Sequence, residues 1–227
     1  MKWLVLCLAI AGCAKAGPGN EIVGGLTDAG TEGGGRDPDG GAGREPGGAP
    51  VDVTLSQTDR TDITPTNAIN CDEGESDYFR VFTPSDAGVT NAFAVAEVDF
   101  GIESAKSAIT ATLQILPYTG TPGDTLDPTA LGAPLATQTV QIAQTTASTT
   151  QRVPITATIP AGTSFAVELA SPSPDLFIGT NDGTETRAGY LRATGCGITR
   201  PTKLQKIATD NNITSTIVMV MSVNGSH

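Results

Sequence analysis

Apolar and polar residues alternate along most of the chain from Val51 onward. Successive side chains of a β-strand point to opposite faces, so this alternation indicates strands with one buried and one solvent-exposed face. Short clusters of Pro, Gly, Asp and Ser separate the alternating segments and are typical of turns. The segments that the pattern predicts as strands are 51–55, 78–82, 92–102, 109–115, 135–142, 153–159, 165–169, 187–191 and 213–223.

This succession of short strands predicts an all-β fold for residues 51–227, an antiparallel β-sandwich of about eight or nine strands. A jelly roll suits that number of strands in a segment of this length, and an immunoglobulin-like sandwich is the alternative. Only residues 201–207 show a helical pattern. The segment is long enough for one hydrophobic core, so we expect a single domain.

The first thirteen residues have a different pattern. Lys2 precedes a short apolar run, and the small residues Ala11 and Gly12 follow it, directly before Cys13. The run is too short to span a bilayer, which needs about 20 residues, but it is typical of an export signal. The segment Ile10-Ala11-Gly12-Cys13 resembles the lipobox of bacterial lipoproteins. An ordinary secreted protein with a chance cysteine is the alternative.

The resemblance to lipoproteins implies that residues 1–12 are a signal peptide and that Cys13 carries the lipid anchor. The membrane would then be one partner of the protein, because each buried CH₂ of an acyl chain contributes roughly 0.8 kcal/mol to membrane binding. Ala14 follows the cysteine, and in this family that residue implies sorting to the outer membrane of the cell envelope. Residues 13–50 are glycine-rich and contain no aromatic residue, so we expect a disordered linker.

Besides Cys13, two cysteines remain after export, Cys71 and Cys196. An even pair in an oxidising compartment predicts a disulfide, and two free buried thiols are the alternative. Residues 51–227 carry nine Lys or Arg and 18 Asp or Glu, a formal charge of −9. Acidic residues follow the first cysteine in 72–77, and basic residues surround the second in 187–206. We expect the disulfide to bring these two stretches together so that they partly neutralise each other.

Several segments around these cysteines are similar to a type of β-sandwich domain in secreted and surface proteins of bacteria: 71–82, 98–101, 153–169 and 181–202. Such domains are appended to exported hydrolases or stand alone as lipoproteins. The resemblance implies a fold and a location, and it carries over no functional residue.

Most catalytic chemistry is disfavoured by composition. The only histidine is His227, at a position where chains are usually frayed, which argues against Ser-His-Asp and Cys-His catalysis and against the usual zinc sites. No phosphate-binding or dinucleotide-binding motif is present. A glycosidase-like carboxylate pair could come from the acidic residues of the strands, although these more simply mark a solvated strand face: Glu97, Asp99, Glu103 and Glu168.

Binding chemistry remains open. The acidic turn 72–77, and Asp175 together with 181–183, supply oxygen ligands for a structural calcium ion, but neither has the spacing of an EF-hand. Sugar binding usually needs exposed aromatic residues, and Tyr118, near a turn, is the best candidate for such a platform. Nucleic acid is disfavoured as a partner because the domain is negative.

These features favour a membrane-anchored lipoprotein, displayed on the surface or in the periplasm, that binds or presents a protein or glycan partner without catalysis. We expect no cofactor beyond the structural calcium considered above. One alternative is a purely structural envelope component, and another is a hydrolase that uses only carboxylates.

Overall fold

The structure is a computed structural model, which describes residues 50–227. The predicted signal peptide, Cys13 and, apart from Pro50, the predicted linker 13–50 lie outside the described residues. The described residues form the helix α1 (Leu204–Asp210) and thirteen strands. In chain order these are β1 (Asp52–Ser56), β2 (Ser76–Phe82), β3 (Phe93–Ala105), β4 (Ile109–Tyr118), β5 (Ala136–Ile142), β6 (Thr149–Ile159), β7 (Ser164–Ser171), β8 (Leu176–Ile178), β9 (Thr180–Asn181), β10 (Gly189–Ala193), β11 (Ile198–Lys203), β12 (Val218–Met219) and β13 (Met221–Ser226).

The strands form two main antiparallel sheets that pack face to face. The first has the order β1-β13-β3-β6, with β8 also paired to β3, and the second has the order β11-β10-β2-β7-β4-β5. A small third sheet pairs β9 with β12. The prediction of an all-β antiparallel sandwich is therefore confirmed. The structure has more strands than predicted because β8, β9 and β12 have only two or three residues and β11 lacks an apolar alternation.

The chain order of the strands is that of a jelly roll. Strands β1, β3 and β6 lie in the first sheet, and β2, the pair β4 and β5, and β7 lie in the second. The chain therefore crosses repeatedly from one sheet to the other and wraps around the core. An immunoglobulin-like sandwich keeps its first two strands in one sheet, so the alternative is wrong. The hairpin of β10 and β11 extends the second sheet beyond β2.

The core lies between the inner faces of the two sheets. Val98 and Phe100 from the first sheet are fully buried with Leu113 and Leu169 from the second. Full burial of such a side chain contributes about 1.5–3 kcal/mol relative to exposure. The helix α1 buries Leu204, Ile207 and Ala208 against this core. It begins three residues after the start of the predicted helical segment.

A second apolar cluster covers part of the outer face of the second sheet. Phe79 and Val81 from β2 pack there with Leu126, which lies in the connection between β4 and β5. Every residue of β2 is therefore buried, on both faces of the sheet. This explains why 78–82 reads as an almost continuous apolar segment with a single charged residue, Arg80.

A disulfide joins Cys71 to Cys196, with the two Cα atoms 5.9 Å apart. It connects the segment before β2 to the turn between β10 and β11. A Cβ atom on Gly195 would lie 1.7 Å from the carbonyl oxygen of Glu73, so glycine is needed for the two segments to approach. The disulfide in the folded domain is thus the pairing that the sequence predicts.

The disulfide brings the acidic and basic stretches together, and an ion pair joins them. Asp77 in β2 accepts a hydrogen bond from Nε of Arg192 in β10 over 2.8 Å. Arg187, Lys203 and Lys206 pair instead with acidic residues outside 72–77: Asp86, Asp124 and Asp210. The expected partial neutralisation is therefore seen, although most cations of the basic stretch pair with nearer carboxylates on the same surface.

Candidate functional site

A polar groove of about 1050 Å³ lies at one side of the sandwich. We call it the polar groove. Its walls are the end of β1, the 3₁₀ turn Pro84–Ala87, the segment before β10, and α1 with the end of β11. Residues far apart in sequence therefore meet here because the jelly roll brings the edge strand β1 opposite the hairpin of β10 and β11.

The best-defined charge in the groove is the carboxylate of Glu185. Its Oε2 atom accepts a hydrogen bond of 2.7 Å from Nη2 of Arg80, which is fully buried in β2. The Arg80 guanidinium also donates to the backbone carbonyls of Met219 and Arg187. Two separate segments, 185–187 and β12, are thus held to one side chain of β2. The Nε atom of Arg80 has no hydrogen-bond partner among the described residues.

Burial dominates the electrostatics of this pair. Desolvation raises the pKa of Glu185, and the nearby Arg80 guanidinium opposes that change. Desolvation likewise lowers the pKa of Arg80 to about 10, and Glu185 opposes it. Arg80 therefore stays charged at neutral pH, and each partner reduces the cost of burying the other.

The rim of the groove carries three further ion pairs. The Nη2 atom of Arg187 lies 2.6 Å from Asp86, and Nζ of Lys203 lies 3.1 Å from Asp124. Nζ of Lys206 lies 2.8 Å from Asp210, one helical turn further along α1. With Glu185 and Arg80 included, the charges in and beneath the groove balance. The rest of the domain, in contrast, is strongly acidic.

Amide, hydroxyl and phenol groups line much of the remainder of the groove, together with apolar side chains such as Leu55, Phe82 and Pro122. Gln57 is nine-tenths buried; its Nε2 atom donates to the carbonyl of Val81, while its buried Oε1 atom has no partner among residues 50–227. The hydroxyl of Tyr190 donates to the carbonyl of Gly123 over 3.1 Å. Such polar groups on a concave surface are the usual means by which a binding site fixes the orientation of a ligand.

The four carboxylates considered for catalysis do not converge. Glu97 and Asp99 are neighbours on the outer face of the first sheet, where both accept hydrogen bonds from Nδ2 of Asn224, over 3.3 and 3.1 Å. Burial raises the pKa of Asp99, and the charge of Glu97 adds to that effect. Glu103 instead accepts from the backbone of Thr66.

Glu168 is in the other sheet and pairs with Arg192 at 3.1 Å. Burial raises the pKa of Glu168, and the charge of Asp77 adds to that effect. The structure therefore brings together only Glu97 and Asp99 of the four.

Two of the residues considered for calcium have other partners. Asp175 accepts a hydrogen bond from the hydroxyl of Ser107 over 2.6 Å. Asp182 forms an ion pair with Arg60. Within the part of the chain that the structure describes, no group of three or more His, Cys, Asp or Glu side chains is close enough to hold a metal ion.

Two expectations about single residues are wrong. Tyr118 is 3% exposed and packs in the second apolar cluster, so it cannot serve as an open platform for a sugar ring. The backbone of His227 exchanges two hydrogen bonds with Val51, so this position is paired rather than frayed. In the first case a connection between strands covers the tyrosine, and in the second the pairing of β1 with β13 continues beyond both strands.

Sequence reasoning missed the residues that define the groove. Arg80 was the one detectable signal, because a charged residue inside an apolar strand must find a partner when buried. Glu185 and Gln57 lie in connections with no motif, and only the fold brings them near each other. Among the described residues, no helix is both long enough and apolar enough to cross a membrane.

No family model matches the chain, and no curated protein matches it. Among solved structures, the chain is similar to the cysteine protease and lectin-like domains of Cwp84, a surface layer associated protein of Clostridium difficile. The TM-score is 0.48 and the sequence identity is 9%. The match covers 77% of this chain and 36% of the other, so this chain spans about a third of that structure's length. A similarity this low carries no information on function.

Proposed function

We propose that the protein is an exported, lipid-anchored and non-catalytic binding protein whose polar groove takes a neutral, hydroxyl-rich ligand such as an oligosaccharide. The observation that carries this proposal is the charge balance of the groove on an otherwise acidic domain. A site for a strongly charged ligand would carry an excess of the opposite charge. The groove instead offers paired charges, amides and hydroxyls, which match the hydrogen-bonding groups of a sugar.

The volume and composition of the surface support a small polar ligand over a protein partner. Ligand sites typically have volumes of about 300–1,000 Å³, and the groove is just above the upper end of that range. A protein interface has a desolvated apolar centre. The exposed large apolar residues of the described part are Val51 and Leu135, and neither lines the groove.

Binding is tested with the full-length protein on an array of neutral and acidic glycans, followed by titration of the best ligand. Lys203→Gln removes a charged donor from the groove, and a hydrogen bond to a charged group contributes about 1.5–3 kcal/mol, so affinity should fall about tenfold or more. The matched control is Lys106→Gln, because Lys106 lies over the ring of Phe177 and not in the groove. Absence of any glycan binding, or equal weakening by both variants, would instead favour a purely structural envelope component.

The anchor is tested separately with Cys13→Ser. This variant should lose fatty-acid labelling and appear in the soluble fraction. Persistent labelling and membrane attachment would contradict the anchor. The absence of catalysis is tested by comparing wild type with Glu97→Gln/Asp99→Asn in a screen of glycoside and ester hydrolysis. Activity that the double variant abolishes would establish the carboxylate hydrolase instead.

A further inference from the structure

Two segments of the chain have the sequence Asn-X-Ser/Thr with a residue other than proline in the middle, the acceptor signal for N-linked glycosylation. They are Asn212-Ile213-Thr214 and Asn224-Gly225-Ser226. A glycosyl-transferring enzyme must reach the asparagine amide and the hydroxyl two residues later. The structure places the two segments in opposite environments, so it discriminates between them where the sequence does not.

Asn212 lies in the turn that ends α1. Its backbone N–H donates to Thr209, and the N–H of Ile213 donates to Ala208 over 2.9 Å, the paired bonds of a Schellman motif. Asn212 has a φ of 58°, in the left-handed region that asparagine tolerates well. The acceptor asparagine is therefore the residue at which this motif directs the chain away from the helix.

Both reactive side chains of this first segment are accessible. Asn212 and Thr214 are exposed, and their side chains form no hydrogen bond within the described part of the chain. The residues that follow this segment are anchored to α1, because the Gln205 side chain donates to the carbonyl of Ser215 and accepts from the N–H of Ile217. Asp210 precedes the asparagine by two positions, so the whole surface sequence reads Asp-Asn-Asn-Ile-Thr.

Asn224 is held inside a sheet. It lies in β13, which pairs with β1 on one side and with β3 on the other. Its Oδ1 atom accepts from the hydroxyl of Thr54 over 2.7 Å, and its Nδ2 atom donates to Glu97 and Asp99. A Cβ atom at the next residue, Gly225, would lie 2.2 Å from a carbonyl oxygen of β3, so the backbone packs closely against that strand.

We propose that Asn212 is a site of N-glycosylation and that Asn224 is not. The co-reactant is an oligosaccharide linked through a diphosphate to a polyprenyl lipid. The Nδ2 atom of Asn212 forms a bond to C1 of the first sugar, the bond from C1 to the diphosphate oxygen breaks, and the polyprenyl diphosphate leaves. Nδ2 loses one proton, and nothing is oxidised or reduced. The inference rests on the export proposed above, because the acceptor must reach the compartment of the lipid-linked donor.

The test uses the full chain purified from the membranes of its own host, after fatty-acid labelling has established export. Peptide mass spectrometry should show one oligosaccharide on the peptide that contains Asn212 and none on the peptide that contains Asn224. Asn212→Gln and Thr214→Val should each abolish the modification. Both changes fall on exposed side chains without hydrogen bonds, so the variants should fold like wild type.

The matched control is Ser226→Ala, which removes the hydroxyl of the second signal and leaves the hydrogen bonds of Asn224 intact. It should leave the modified fraction unchanged. Unmodified Asn212 in protein that carries the acyl label would overturn the inference while leaving the lipid anchor intact. Modification that persists in Asn212→Gln, or that disappears in Ser226→Ala, would also overturn it.

Discussion

The ion pair between Arg80 and Glu185 lies beneath the polar groove and connects β2 to the segment before β10. Arg80 is fully buried, and it also donates to the carbonyls of Met219 and Arg187. Arg80→Met keeps an apolar stem of similar length but leaves the Glu185 carboxylate without its cation. It also leaves two carbonyl oxygens without their donor. We therefore expect this single change to be among the most damaging in the domain.

The expected cost follows from the burial of the two partners. Removing one member of a buried pair destabilises a protein by about 3–5 kcal/mol. The Glu185 side chain is 18% exposed, so water relieves part of the penalty and the lower end, about 3 kcal/mol, applies. For a domain of this size that corresponds to a fall in Tm of roughly 6–12 °C. Adding Glu185→Leu removes the stranded carboxylate and should recover about 2 kcal/mol.

Thermal and guanidinium unfolding of wild type, Arg80→Met, Glu185→Leu and the double variant measure this coupling. The control is Arg60→Met, because the ion pairs of Arg60 with Asp62 and Asp182 are exposed, so this change should cost far less stability than Arg80→Met. If the double variant lost the sum of the two single losses, the two residues would not be coupled. The explanation of the buried pair given above would then be refuted.

Three further predictions concern stability. Replacing Cys71 and Cys196 by Ala frees a loop whose ends are 125 residues apart, so denaturation should show a loss of about 5 kcal/mol; a loss below about 1 kcal/mol would contradict this. Burial raises the pKa of Glu103 above 4.5. The protonated side chain therefore stabilises the fold at low pH, and this stabilisation is lost as the pH rises through the raised pKa. Denaturation of both proteins across the acid range should show that the free energy of unfolding of Glu103→Gln increases relative to that of wild type as the pH rises. A difference between the two proteins that does not change with pH would exclude the effect. Thr66 has a φ of 66°, which a β-branched residue adopts at a cost, so Thr66→Asn should raise the free energy of unfolding by about 1 kcal/mol, and a decrease would argue against strain there.

The alternation of apolar residues was sufficient to predict the sandwich because the strand positions that face the core are occupied by apolar residues. Leu113 and Val98 alternate with polar neighbours, and both lie in the core. The cysteine pair was predictable for a different reason, because the two cysteines of residues 51–227 allow a single pairing. Neither inference required knowledge of which strands are adjacent.

The groove and the position of Tyr118 could not be predicted, because they depend on contacts between distant segments. Tyr118 is covered by the connection that follows β4, and no local pattern says that a connection folds back over its own sheet. Glu185 and Gln57 meet because β1 and β10 lie on the same side of the jelly roll. Long-range placement of this kind follows from strand order, and alternation contains no information on strand order.

The pairing of Val51 with His227 has a consequence for protein engineering. Because the two residues exchange backbone hydrogen bonds of 3.0 and 3.1 Å, a short linker could join them without moving either strand. New ends opened at the exposed turn 160–163 would give a circular permutant that keeps the disulfide and every strand. In such a permutant the ends of the domain would move from the edge of the first sheet to the turn between the sheets. The orientation of the polar groove relative to a surface would thus become a variable that can be set by design.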